Sequence, residues 1–91
     1  MYVDPCIKEN RDLSGHDLNR CGDKTKTPHE CREMCQKESK CVQFTWLGEN
    51  FGNGARAKQC CMKNIINHHY TDAVGAYSGP KFCGISFVLV F

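Results

Sequence analysis

Eight cysteines in 91 residues constrain this chain more than any other feature of its sequence. The hydrophobic class makes up 41% of residues, but the cysteines belong to it, so few ordinary apolar side chains remain to build a core. Small domains with thin cores usually need covalent or metal cross-links. Cysteine at this density is typical of secreted disulfide scaffolds. The sequence therefore predicts one small secreted domain over residues 1–91.

Charge and motif content exclude several classes of function. The net charge is only +2, with acidic and basic residues interspersed, so no basic field favours nucleic acid. The longest apolar run, 85–91, is too short to insert across a membrane. His68 and His69 are adjacent, which does not suit zinc, and Asp12 and Asp17 supply too few oxygens for calcium. With its cysteines oxidised the chain lacks an activated nucleophile, so we expect no enzyme, no cofactor and no metal.

One helix is predicted near the centre of the chain. Thr27 suits an N-cap, Pro28 the first helical position, and Glu30 the third residue of a capping box. The helix should run from Pro28 to about Ser39. Its two cysteines lie four residues apart and should therefore point from one face into the core.

The remaining signals favour strands, and the alternating segments at 42–46 and 59–64 each suit a sheet with one face exposed to solvent. Apolar residues alternate with polar ones at Val42–Trp46, where Phe44 is expected in the core and Trp46 lies beside a predicted loop at 48–54. A second loop is predicted at 65–71. The other candidate strands are 2–8, 12–19, 59–64, 76–78 and 82–89. The predicted class is α+β, a single helix packed on an antiparallel sheet.

The order of the cysteines and their flanking motifs resembles the PAN/Apple domain over residues 6–83. The motifs that carry the resemblance are Cys6, Asp12-Leu-Ser-Gly-His-Asp-Leu18, Cys31-x3-Cys35-x5-Cys41-x2-Phe44-x-Trp46, Cys60-x-Met62-Lys63 and Ser78-Gly-Pro-Lys-Phe-Cys83. The resemblance implies the disulfides Cys6 with Cys83, Cys31 with Cys60, and Cys35 with Cys41. A bridge between Cys21 and Cys61 is the simplest completion, and exchange of Cys60 with Cys61 stays open.

Within the family, the string from Asp12 to Leu18 looks most like the tandem Apple domains of micronemal adhesins of apicomplexan parasites. That resemblance implies a non-catalytic repeat, secreted through micronemes, with neighbouring Apple domains in the parent chain. Its partner would be a host-cell surface protein or glycan, or another secreted adhesin subunit. The alternatives are a galactose-type or glycosaminoglycan-binding lectin and a regulatory domain of a secreted serine protease precursor.

Two groups of side chains are candidates for ligand contact. The first is basic and could bind a sulfated glycan or an acidic protein surface, although a solvated face is the commoner explanation. The second combines amphipathic rings with polar tips, which suits a sugar or a protein hot spot. The two groups are Arg56, Lys58 and Lys63, and His68, His69 and Tyr70.

The apolar tail, residues 84–91, follows the last family cysteine. It has high β-propensity and no charge, so an open edge of this composition would favour aggregation. We expect it to dock as a strand beside the amino-terminal segment; a linker to a further module and disorder are the other interpretations.

Overall fold

Five antiparallel strands and one helix form the fold in a computed structural model, which describes residues 6–15, 17–18, 21–52 and 54–83. The sheet order is β1-β5-β3-β4-β2, so β3 is central and β1 and β2 are the edges. This is the predicted α+β class. The elements in chain order are β1 (Lys8–Asp12), β2 (Asp23–Lys24), α1 (Pro28–Lys37), β3 (Gln43–Leu47), β4 (Gln59–Lys63) and β5 (Thr71–Pro80).

Helix α1 begins where the capping signals place it. Thr27 Oγ1 accepts a hydrogen bond from the Glu30 amide at 3.2 Å, while the Glu30 carboxylate accepts from the amide of Lys26 at 2.7 Å rather than from that of Thr27. The helix ends at Lys37, two residues earlier than predicted. Glu38 is extended there (φ −101°, ψ 114°), because the chain must turn at once to bring Cys41 back to the helix.

The main core lies between α1 and one face of the sheet. Cys31 and Cys35 project from the helix and are fully buried, as the four-residue spacing predicts. From the sheet they meet Phe44, also fully buried, and Trp46, whose residue exposure is 8%. Cysteine sulfur therefore supplies much of the apolar volume that a chain of this size otherwise lacks.

The second face of β3 is buried as well, so the expectation of one wet face is wrong for this strand. The described residues of 13–21, here called the covering segment, follow β1 and cover this face. The Leu13 amide donates to Thr45 Oγ1 at 3.3 Å, and the Thr45 and Ser78 hydroxyls lie 2.7 Å apart. Below them Leu47 packs in a second cluster with Cys21, Cys61 and Ala76. Hydrogen bonding between hydroxyls allows polar side chains to be buried there.

The strand predicted at 12–19 is present only at Asp12, which ends β1. Among the described residues of the covering segment, only Asp17 makes a β-bridge, to Lys63, after a bend at Gly15 where φ is +79°. A left-handed glycine interrupts the extended conformation that a strand needs. Strand β5 is instead much longer than the predicted 76–78 segment.

Four disulfides cross-link the fold, and they include bridges on both faces of the sheet. Three of the disulfides are those that the family resemblance implies, and the fourth joins Cys21 to Cys61 as the simplest completion of that pattern. The neighbouring residues Cys60 and Cys61 point to opposite faces of β4, where one bridge holds the helix and the other holds the covering segment. The exchange of Cys60 with Cys61 does not occur.

Both ends of the chain were predicted to contribute strands. Strand β1 begins at Lys8, the last residue of the predicted 2–8 segment, whose residues 2–5 lie outside the described part. Phe82 and Cys83 are not in a strand, and the tail at 84–91 lies outside the described residues. Within the part of the chain that the structure describes, no helix is long and apolar enough to cross a bilayer.

Candidate functional site

The three basic residues predicted as one contact group do not share an exposed surface. Lys63 is a correction to that expectation, because its side chain is only 5% exposed and its ammonium lies 2.6 Å from Asp17 Oδ1. This ion pair joins the end of β4 to the covering segment. Lys63 therefore has a structural role and is not an accessible ligand contact.

Arg56 and Lys58 are accessible but line different depressions. Arg56 donates from Nε to Gln59 Oε1 at 2.9 Å, and its guanidinium lies 6.0 Å from the centre of the Phe51 ring. It lines the depression beside Lys63. Lys58 lines a separate cleft, and its ammonium lies 3.6 Å from Glu49 Oε2 in an exposed pair. No common anion-binding patch of these residues exists.

The contact loop, residues 65–70, is fixed at its centre by a buried amide. Gln43 Nε2 donates to the Asn67 carbonyl at 3.0 Å, and Gln43 Oε1 accepts from the Asn67 amide at 2.7 Å. Asn67 Oδ1 then accepts from the His69 amide at 2.9 Å. This double hydrogen bond gives the loop a defined conformation beside the first residue of β3.

The contact loop presents apolar and polar groups together. Ile65 and Ile66 are 50% and 57% exposed, and His68 and His69 are also exposed. Tyr70 is partly covered, and its burial raises the pKa of the phenol above its usual 10.0. Sequence analysis selected the histidines and the tyrosine but missed the isoleucines. The signal was present as two β-branched residues between asparagines in a predicted loop.

A second surface, the aromatic cleft, was not found from the sequence. It encloses about 320 Å³ at the far end of β3. The rings of Trp46 and Tyr77 lie side by side with centroids 5.6 Å apart and planes inclined by 56°. Trp46 Nε1 donates to the Thr25 carbonyl at 3.1 Å, which fixes the indole. The residues that line the cleft are Lys26, Trp46, Gly48, Glu49, Asn50, Lys58, Gly75 and Tyr77.

Gly48 packs against the edges of the two rings. A Cβ at this position would lie 3.1 Å from the Gly75 carbonyl oxygen and 3.3 Å from both Trp46 Cζ3 and Tyr77 Cε1, so a side chain here would crowd the backbone of β5 and both rings. The sequence indicates Trp46 only as a residue beside the 48–54 loop and Lys58 only as a member of the basic group. Tyr77 joins them because β5 pairs with β3 at the Trp46–Tyr77 register, which no local pattern reveals.

One group of side chains has the spacing of a metal site but not its chemistry. The ligand atoms of Asp17, Cys21 and Cys61 lie within 4.8 Å of one another. Cys21 and Cys61 are joined in a disulfide and provide no thiolate. The group therefore offers a single carboxylate, and that carboxylate binds Lys63.

Comparison with protein families identifies the fold family of the chain. A family model described as "PAN domain" matches residues 11–63, from the end of β1 through β4, and these residues contain the helix, the central strand and six of the eight cysteines. No curated protein matches the chain. PAN domains are in general non-catalytic modules that bind proteins or carbohydrates. With more than half of its residues matched and the α+β architecture in place, the chain belongs to the PAN domain family.

Proposed function

We propose that this PAN domain is a secreted adhesion module whose contact loop binds a protein on a host-cell surface. The observation that carries the proposal is the exposure of Ile65 and Ile66 on a loop that Gln43 holds in one conformation. Four disulfides and the family support an extracellular location. The string from Asp12 to Leu18 supports a tandem repeat of a micronemal adhesin, with neighbouring Apple domains as its context.

The contact loop has the composition of a protein hot spot. Fully burying an isoleucine side chain contributes about 1.5–3 kcal/mol, so completing the burial of two half-exposed ones adds roughly 2 kcal/mol in total. The rings of His68 and His69 add hydrogen-bonding groups beside this apolar centre. Because the Gln43 clamp fixes the loop before binding, little conformational entropy is lost on association.

Cell binding of the purified domain tests the proposal. The variant Ile65→Ser/Ile66→Ser should lower binding to host cells at least tenfold by flow cytometry, and His68→Ala/His69→Ala should lower it to a smaller extent. Val74→Ser is the matched control, because Val74 is a β-branched residue that is 74% exposed on β5. A nitrogen–proton correlation spectrum establishes that each variant is folded.

Two outcomes of the cell-binding assay distinguish whether the contact loop mediates adhesion. Loss of binding in both loop variants, with wild-type binding by Val74→Ser, supports adhesion through the contact loop. Full binding by a folded Ile65→Ser/Ile66→Ser variant contradicts it. The micronemal context has its own test in the parent gene, where further copies of this cysteine pattern are expected and a trypsin-like segment would instead indicate a protease precursor.

A further inference from the structure

We propose that the Cys6–Cys83 disulfide is a thiol-exchange site, which a small thiol opens while the other three disulfides stay closed. The bridge joins the first and last residues of the part of the chain that the structure describes, and its Cα atoms lie 5.6 Å apart. Opening the bridge frees the chain segments on either side of the domain to move apart. The site is therefore a covalent latch, and it does not include the residues of the contact loop.

Solvent exposure distinguishes this disulfide from the other three. Cys6 and Cys83 are partly exposed, and the neighbouring Phe82 is 45% exposed. A thiolate must reach one sulfur of a disulfide to attack it, so the rate of exchange depends on access. The remaining bridges are shielded as long as the fold is intact. Exposures of only 0–3% are found for Cys21, Cys31, Cys35, Cys41, Cys60 and Cys61.

The segment that carries Cys6 stays in place without the bridge. Strand β1 begins two residues later and pairs with β5 at four positions. Ile7 packs against the main core cluster. The backbone of Cys6 also lies close to β5, because a Cβ added at Gly79 would be 2.8 Å from the Cys6 carbonyl oxygen. These contacts hold Cys6 beside the end of β5 after the disulfide opens.

The segment that carries Cys83 is held by three hydrogen bonds of Lys81. Its amide donates to the Val42 carbonyl at 3.0 Å, and its ammonium donates to the Glu38 carbonyl at 3.0 Å. Gln36 Nε2 donates to the Lys81 carbonyl, also at 3.0 Å. Residue 81 is thereby tied both to the start of β3 and to the end of α1. Since both thiols stay near their bonded positions, an oxidant can close the latch again.

The exchange consumes two molecules of a small thiol such as glutathione. The thiolate of the first attacks Sγ of Cys6 or Cys83, forms a mixed disulfide with that cysteine and expels the other cysteine as a thiolate, which takes a proton from water. The second thiolate attacks the sulfur of the bound glutathione. This step releases the first cysteine, which is then protonated, and the two glutathione molecules leave as their disulfide. Two electrons pass from the small thiols to the bridge.

Alkylation after brief reduction tests the selectivity. The native protein is incubated with increasing glutathione, quenched with iodoacetamide and mapped by mass spectrometry. We expect Cys6 and Cys83 to be alkylated, or to carry glutathione, at least tenfold faster than any other cysteine. The same reaction in urea that unfolds the chain should lose this preference, because burial causes it. Equal rates in the native protein, no native reaction at Cys6 and Cys83, or a preference that persists in urea overturns the proposal.

A variant tests whether opening is local. Cys6→Ser/Cys83→Ser should take up no glutathione under native conditions and should keep slow amide exchange in β3 and β4. The matched control is Cys35→Ser/Cys41→Ser, which retains the latch and should react with glutathione at the wild-type rate. If Cys6→Ser/Cys83→Ser does not fold, the selectively reduced and alkylated wild type takes its place. Loss of protection in β3 and β4 of that protein contradicts a local latch.

The selectively alkylated wild type also separates the latch from the proposed adhesive function. Its cell binding should equal that of the untreated protein, because Gln43 rather than the bridge holds the contact loop. Weaker cell binding would show that opening disturbs the loop and would contradict a local latch. The alkylation pattern itself does not depend on cell binding, so failure of adhesion by the contact loop leaves the latch unaffected.

Discussion

The two disulfides that meet at β4 should stabilise the fold in a coupled way. Cys31–Cys60 and Cys21–Cys61 span separations of 29 and 40 residues, but they share most of the same loop. While one bridge is intact, the path between the cysteines of the other runs through it and contains only about a dozen residues. Removing either bridge alone therefore releases less chain entropy than its own sequence separation implies.

Loop-closure entropy gives the size of this coupling. Closing about 12 residues contributes about 2.8 kcal/mol, whereas closing 30 to 41 residues contributes about 3.6–3.9 kcal/mol. Removing both bridges should consequently cost about 1 kcal/mol more than the sum of the two single removals. The packing cost of each cysteine pair cancels in the comparison, because the pairs lie in different clusters on opposite faces.

Urea unfolding of four proteins measures the effect. They are the wild type, Cys21→Ala/Cys61→Ala, Cys31→Ala/Cys60→Ala and the combination of both pairs, all in one concentration of stabilising osmolyte so that the last variant remains folded. A coupling free energy of about 1 kcal/mol in the stated direction is expected from the shared loop. Strict additivity, or a combined cost smaller than the sum, would refute the reasoning.

Three further predictions concern single positions. Lys63→Met should lower the free energy of unfolding by about 1–3 kcal/mol, since it leaves the Asp17 carboxylate without its buried partner, while cell binding of the folded variant stays unchanged. Gly75→Ala should destabilise the chain more than Gly52→Ala in thermal unfolding: both have positive φ, but a Cβ at Gly75 would lie 2.6 Å from a backbone nitrogen, and one at Gly52 meets nothing within 4 Å. Burial raises the pKa of Tyr70 above 10.0, so Tyr70 ionises at lower pH in the unfolded chain than in the folded one. The urea concentration at the unfolding midpoint should therefore be constant below pH 10.0 and fall above it, and the fall should be less steep in Tyr70→Phe.

The sequence predicted those helices and strands that capping residues and short-range alternation of apolar residues determine. The predicted start of α1 is correct because Thr27 caps the helix by accepting a backbone hydrogen bond and Pro28 has a φ angle already fixed near the helical value. Strand β3 was placed one residue early by its alternation, and β4 one residue long. The second buried face was not predictable in this way. Thr45 has the polarity of a solvent-facing residue, and only its partners from distant segments allow its burial.

For the candidate binding surfaces too, the sequence predicted the features with local causes and missed those that depend on tertiary contacts. The contact loop was recognised as a polar interruption between predicted strands, but its anchoring by Gln43 depends on tertiary contact. Lys63 was misjudged because a lysine is normally exposed, and nothing in the sequence indicates that Asp17 crosses over β4 to meet it. The aromatic cleft needs Trp46 and Tyr77 on adjacent strands, and their pairing follows from topology alone.

The Cys6–Cys83 bridge determines how this domain responds to mechanical force. Its Cα atoms lie 5.6 Å apart although 77 residues separate them in sequence. Tension applied to the chain outside this pair passes directly through the covalent bond, so the sheet and helix inside the loop bear no load. Without the bridge, residues 6–21 and 61–83 could be pulled out to roughly 130 Å at about 3.4 Å per residue before the Cys21–Cys61 bridge took the load. An adhesive contact on such a domain would keep its shape under shear that would unravel an unbridged fold.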